Sequence, residues 1–138
     1  GAVLGKTVLI TGDGSLQMNL QELATVKHYH LPITMFVLNN NGYGLIRVSQ
    51  KRYFGADQLI GESPATGVWC PDLKKIAKAY GIYFQRLNHP REMDGFIKGL
   101  LNYKQGPAIG EVMVPEWEKI LRQDESGPDE NWEIETND

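Results

Sequence analysis

The chain has 138 residues, of which 41% are hydrophobic, 22% charged and 9% aromatic, the proportions of an ordinary globular chain with room for about one domain. That composition excludes collagen, coiled coil and wholesale disorder, and no apolar run reaches the roughly 18 residues of a membrane span. The net charge of -3 divides into +4 over residues 1–114 and -7 over residues 115–138, so the body is too mildly basic for a nucleic-acid binder and better suited to a small anionic ligand.

Gly1 to Gly5 are small and read as the end of a helix belonging to a longer chain, with no secretory leader in sight. Thr7-Val8-Leu9-Ile10-Thr11 is a β-branched apolar run stopped by Gly12-Asp13-Gly14, the pattern of a buried strand ending in a tight turn. Ser15 is placed to cap a helix carried by Leu16, Leu20, Leu23 and Ala24 as far as about His30, where Pro32 ends it. Ile33 to Leu38 predicts a second buried strand, ending in Asn39-Asn40-Asn41-Gly42.

From Gly42 to Pro71 the periodicity is weak and Gly, Ser and Pro are frequent. A connection of that length usually serves as a lid or binding loop, and Arg47, Lys51 and Arg52 would lie on it as a solvated basic stretch. Pro71-Asp72 opens a helix through Leu73, Ile76, Ala77 and Tyr80, closed by Gly81. Ile82 to Leu87 predicts a strand, Arg91 to Tyr103 a helix and Pro107 to Val114 a last strand. The acidic segment 116–138 forms a tail outside the domain of residues 1–115, expected to fray or dock loosely. A lone Cys70 points to a reducing, cytoplasmic compartment.

Alternating strands and helices define an α/β domain, a doubly wound parallel sheet flanked by helices. Four strands are readable where such sheets have roughly five or six, so the sheet is expected to be truncated at its N-terminus.

Asp13 and Asn40 lie 27 positions apart. A helix from Ser15 to His30 runs about 24 Å back down the sheet, and a six-residue strand climbs about 20 Å again. If the two strands are neighbours, both residues meet at the carboxyl edge, where open α/β sheets bind ligands. A carboxylate, an amide oxygen and a main-chain carbonyl are hard donors that suit Mg²⁺. The helix start near Ser15 offers N–H groups to phosphate. A diphosphate held between a helix N-terminus and a divalent metal is the economical reading. A phosphate-binding loop ending in Gly-Lys-Ser/Thr is absent, and Gly42-Tyr43-Gly44 lacks the third glycine of a dinucleotide fingerprint.

Gly12-Asp13-Gly14, 24 intervening residues and Asn39-Asn40 resemble the cofactor signature of thiamine diphosphate-dependent enzymes. The wording of Ser15 to Asn19, Gln21 to Thr25, Leu31-Pro32 and Asn39 to Arg47 is similar to the acetolactate synthase and 2-oxo acid decarboxylase branch, and most of all to acetolactate synthase-like members. One position departs: Ser49 stands where biosynthetic acetolactate synthases carry tryptophan. The resemblance implies a C-terminal domain in which Asp13, the Asn40 side-chain oxygen and the Gly42 carbonyl ligate Mg²⁺. It further implies that Gly12, Gly14, Ser15, Tyr43 and Gly44 line the diphosphate, with N–H groups of Gly14, Ser15 and the Gly42–Gly44 turn holding phosphate oxygens. Leu45 would stand near the reacting end of the cofactor.

The implied activity is decarboxylation of a 2-oxo acid such as pyruvate and its carboligation, with simple decarboxylation as the alternative. The activating glutamate belongs to another domain in such enzymes. This chain alone is therefore expected to hold no catalytic residue and to turn nothing over, and the full protein to be a homodimer or homotetramer. From another class, a non-catalytic nucleotide-binding module would use the same sheet edge without needing Mg²⁺. Among the other residues, His28 and His30 suit a helix end, His89 a turn, and Met18 and Leu20 the core. Cys70 has no neighbouring base to activate it, and Glu22 is structural.

Overall fold

The computed structural model of the chain describes residues 5–55 and 59–116; the expected acidic tail lies almost wholly outside them. Four parallel strands, β1 (Thr7–Gly12), β2 (Ile33–Asn39), β3 (Tyr83–Leu87) and β4 (Ala108–Met113), form one sheet in the order β1-β2-β4-β3. The register pairs Thr7 with Ile33 and Gly12 with Leu38, so the first two strands leave the sheet side by side. The α/β architecture expected from the sequence is the one observed.

Period-two alternation sends successive residues of each strand to opposite faces. On one face Met35, Val37 and Ile109 pack with Leu16 of α1 (Asp13–Gln17), Leu23 of α2 (Glu22–His28) and Leu73 and Ala77 of α4 (Leu73–Ala79). On the other, Ala108, Phe36 and Val112 meet Phe96 and Leu100 of α5 (Met93–Asn102). The two aromatic rings of Phe36 and Phe96 meet edge to face with centroids 6.0 Å apart. Asp72 caps α4 by accepting from the N–H groups of Lys74 and Lys75, as its position before the apolar repeat predicts. Lys6 Nζ donates to the carbonyls of Leu100, Leu101 and Tyr103, supplying partners for the C-terminal end of α5.

Four expectations are corrected. β1 is not buried: Val8, Leu9 and Ile10 are 49%, 41% and 69% exposed, because β1 forms an edge of the described sheet and few described residues cover it. The helix expected from Ser15 to His30 is broken into α1 and α2 by turns at 18–21, and it begins two residues earlier, with Gly12 as its N-terminal flank and Ser15 inside it. Met18, expected in the core, is 69% exposed, whereas Leu20 does pack against the core. Finally, the segment after Gly42 is no irregular lid. It holds α3 (Gly44–Phe54) and a 3₁₀ turn at Pro64–Thr66, and Arg47, expected on a solvated loop, is 1% exposed.

Candidate functional site at the strand exits

Because β1 and β2 are parallel neighbours, Asp13 and Asn40 emerge from the sheet together. Asn41 and Gly42 then bend the chain back with φ of 59° and 146°. The Asn39 side chain accepts the Asn41 N–H at 2.9 Å and steadies that bend. The Gly42 N–H donates to Asp13 Oδ2 at 3.0 Å, joining the two strand exits directly.

On the inner side of the bend the Asn40 amide terminus faces two oxygens. Asn40 Oδ1 stands 3.2 Å from Asp13 Oδ1 and 2.9 Å from the Gly42 carbonyl oxygen. With the amide oxygen on this side three acceptors meet, and with no proton between them they repel. Two arrangements relieve this: the amide turns over so that its NH₂ donates to both neighbours, or a cation sits among the oxygens. Oxygens placed about 2.0–2.1 Å from an octahedral Mg²⁺ are separated by about 2.9 Å along each edge, which the Asn40–Gly42 separation matches and the Asn40–Asp13 separation of 3.2 Å exceeds. The donor set is hard throughout. Among the described residues no three His, Cys, Asp or Glu side chains gather elsewhere into a metal-binding group.

Three glycines of the site leave no room for a side chain, whereas Gly12 would admit one. A Cβ on Gly42 would run into the backbone carbonyl oxygen of Glu62, and one on Gly14 would run into the Tyr43 ring, which lies over that buried glycine. A Cβ on Gly44 would displace the Asn40 amide. Gly14 and Ser15 lie in the first turn of α1, where N–H groups have no acceptor within the helix. Leu45 is 71% exposed at the start of α3. One detail differs from the sequence-based expectation: the N–H groups of Gly42 and Tyr43 are already engaged, with Asp13 and with the Glu62 carbonyl at 2.8 Å. Of the three N–H groups expected to reach phosphate from this turn, only that of Gly44 is not committed in this way.

Behind the bend lies a charge network that the sequence reading missed. Arg47 forms a buried ion pair with Glu62 through Nε and Oε2. The same guanidinium donates to the Glu62 carbonyl at 3.4 Å and to the Glu116 carbonyl. Glu62 Oε1 also accepts from Ser63 Oγ at 2.6 Å and from Thr66 Oγ1 at 3.2 Å. Burial pushes the Glu62 carboxyl up, but Ser63, Arg47 and Thr66 together outweigh it and hold it below its ordinary value. Glu116 reaches back to accept from Asn41 Nδ2 at 3.1 Å.

A second network lies on the opposite flank. Asn39 Nδ2 donates to the fully buried Glu111 at 2.8 Å, and Arg86 Nε donates to the other carboxylate oxygen at 2.5 Å. A lone acid inside the apolar run Ala108 to Met113 was the available signal for Glu111. Nothing in the wording of Gly61-Glu62-Ser63 marked Glu62. Cys70 lines a small cleft with Asp13, Leu16 and Asn39; burial, and secondarily the Asp13 charge, push its thiol up.

A Gly-Asp-Gly exit and a facing asparagine turn thus meet at the carboxyl edge of a parallel sheet, where open α/β domains bind ligands. Residues 1–112 match the family model of the thiamine pyrophosphate enzyme C-terminal TPP-binding domain, and the chain belongs to that family. It is similar to acetolactate synthases: 33% identical over 109 residues to the large subunit from Pyropia yezoensis, covering 79% of this chain and 18% of that protein. Identity is 35% over 127 residues to acetolactate synthase 2 of Zea mays, covering 89% and 20%. It is 34% over 113 residues to the isozyme 2 large subunit of Escherichia coli K12, covering 82% and 20%. Among solved structures, a thiamine diphosphate-dependent 4-hydroxybenzoylformate decarboxylase from Rhodococcus jostii RHA1 superposes with a TM-score of 0.65 at 25% identity, covering 80% of this chain and 20% of that one. The chain thus spans about a fifth of the length of the relatives it matches.

Proposed function

We propose that this domain holds the diphosphate of thiamine diphosphate through Mg²⁺, within a larger acetolactate synthase-like enzyme acting on 2-oxo acids. The observation that carries the metal reading is the meeting of Asp13 Oδ1, the Gly42 carbonyl and the Asn40 amide, whose end group lies 3.2 and 2.9 Å from them. Asp13 supplies the charge, Asn40 and Gly42 supply neutral oxygens, and waters and diphosphate oxygens complete the shell. Gly14 and Ser15 offer N–H groups to the phosphate, and Leu45 presents an apolar surface beside it. When bound, thiamine diphosphate supplies the electron sink that 2-oxo acid decarboxylation requires. This chain's residues bind and orient it; the activating acid, the remaining walls of the site and assembly into a homodimer or homotetramer belong to the rest of the protein.

Calorimetry of thiamine diphosphate binding to the intact protein, with and without Mg²⁺, tests this reading. Binding is expected to need Mg²⁺ in the wild type and to be lost in Asp13→Ala. Binding of equal strength without the metal, or unchanged in the variant, refutes it, and tight Mg²⁺-independent binding of a nucleotide would favour a nucleotide-binding module. The likeness to a decarboxylase supports a second outcome for the chemistry. Product analysis with pyruvate separates acetolactate, which the synthase relatives favour, from acetaldehyde.

A further inference from the structure

Of the three groups that meet there, two sit on side chains next to strand ends, but the Gly42 carbonyl belongs to a bend with left-handed backbone at both Asn41 and Gly42. Something outside the bend must fix it. Asp13 and Asn39 hold its near side through the Gly42 and Asn41 N–H groups, and on its far side the Tyr43 N–H donates to the Glu62 carbonyl at 2.8 Å, so the bend also depends on where residue 62 stands. Residue 62 is held locally by Ser63 and Thr66, and one guanidinium ties it to α3 and to the segment after β4. Arg47, 1% exposed, reaches the Glu62 carboxylate, the Glu62 carbonyl and the Glu116 carbonyl. It thereby joins α3, the loop before the 3₁₀ turn and the segment following β4. Asn41 is tied to the same frame through Glu116.

We infer that Arg47 and Glu62 are positioning residues for the cation site: their buried pair helps to set where the Gly42 carbonyl stands beside the Asn40 amide. The inference rests on the Mg²⁺ reading above. A planar fork suits this task because it spans three acceptors in fixed directions, whereas an ammonium on a flexible stem engages them as a point charge. Mg²⁺ makes the positioning matter, since it tolerates little departure from octahedral geometry, while the larger Ca²⁺ accepts irregular shells. A merely structural ion pair predicts something else. Buried pairs replaced on both sides by apolar groups of similar volume often leave stability unchanged, and a metal site that did not depend on the pair would be unaffected.

The test is titration of Mg²⁺ and of Ca²⁺ into the intact protein with saturating thiamine diphosphate, followed by calorimetry, with thermal melts of the metal-free protein alongside. Arg47→Met/Glu62→Leu is expected to melt within a few degrees of wild type and to bind Mg²⁺ at least about tenfold more weakly, with Ca²⁺ changed less. Arg47→Lys keeps the charge and guards against a double variant that does not fold; its Mg²⁺ affinity is expected to fall about threefold or more. Mg²⁺ affinity within twofold of wild type in either folded variant overturns the inference, as does an equal loss for both metals. Asp13→Ala separates the two levels: if it leaves Mg²⁺ binding intact, the metal reading fails and the positioning role falls with it. If it abolishes binding while the Arg47 variants bind normally, only the positioning role fails.

Discussion

Gly42→Ala attacks the bend where it is tightest. Its φ of 146° lies where side chains are rarely accommodated, and an added Cβ would meet the Glu62 carbonyl carbon at 3.1 Å and Arg47 Nη2 at 3.1 Å, with the Glu62 carbonyl oxygen closer still. Backbone strain of this kind costs about 1–3 kcal/mol. The methyl needs ordinary contact distance from that oxygen, so the bend must move by about 1 Å. A shift of that size takes the Gly42 carbonyl out of the 2.9 Å spacing to Asn40 Oδ1, and an ion demanding near-ideal geometry loses one of three protein ligands. A tenfold or greater loss of Mg²⁺ affinity, about 1.4 kcal/mol or more, is therefore expected on top of the destabilisation. Gly81→Ala is the control: Gly81 has φ of 65° and stands near Lys27, not at the site. It is expected to cost about 1–2 kcal/mol of stability while leaving Mg²⁺ binding intact. Melting curves and metal titrations on the intact protein read both effects. Wild-type Mg²⁺ affinity in Gly42→Ala would refute the reasoning.

Leu100→Ala removes a fully buried side chain from the α5 face of the sheet and is expected to destabilise by about 2–5 kcal/mol in chemical denaturation; a loss under about 1 kcal/mol would contradict the packing described. Glu62 titrates below its ordinary 4.5 in the folded state, so its contribution is complete above that value and is lost as pH falls through the lowered one. As pH falls from above 4.5 through that lowered value, the melting temperature of wild type should therefore drop more steeply than that of Glu62→Gln, and parallel curves would exclude the role given to this carboxylate. The Cys70 thiol is pushed up by burial and by Asp13, so its alkylation at pH 8 should be slower than that of a free thiol; reaction at the free-thiol rate would show it is neither shielded nor raised.

How much of this was legible beforehand depends on the residue. The strand run from Ile33 to Leu38 and the Asp72 cap announce themselves locally, and the facing of Asp13 and Asn40 follows once β1 and β2 are adjacent. Exposure of Val8 and Ile10 could not be read, because β-branched composition reports a strand and says nothing of which neighbours cover it. The break at residues 18–21 falls in a stretch without glycine or proline, where tertiary packing overrides propensity. Helix α3 was hidden for a different reason. Its apolar Leu45 and Ile46 are 71% and 42% exposed while its arginine at 47 is buried, so the hydrophobic periodicity runs against the burial. The meeting of Asp13 and Asn40 was foreseeable from their positions, but the Arg47 network behind the bend depends on contacts between segments far apart in sequence.

The most direct measurement is a crystal structure of the intact protein grown with thiamine diphosphate and Mn²⁺ in place of Mg²⁺. An anomalous peak at coordination distance from Asp13 Oδ1, Asn40 Oδ1 and the Gly42 carbonyl, bridging to the diphosphate, is the expected result. A diphosphate seated elsewhere, or an Asn40 NH₂ turned inward to Asp13 and Gly42 with no cation present, would contradict it.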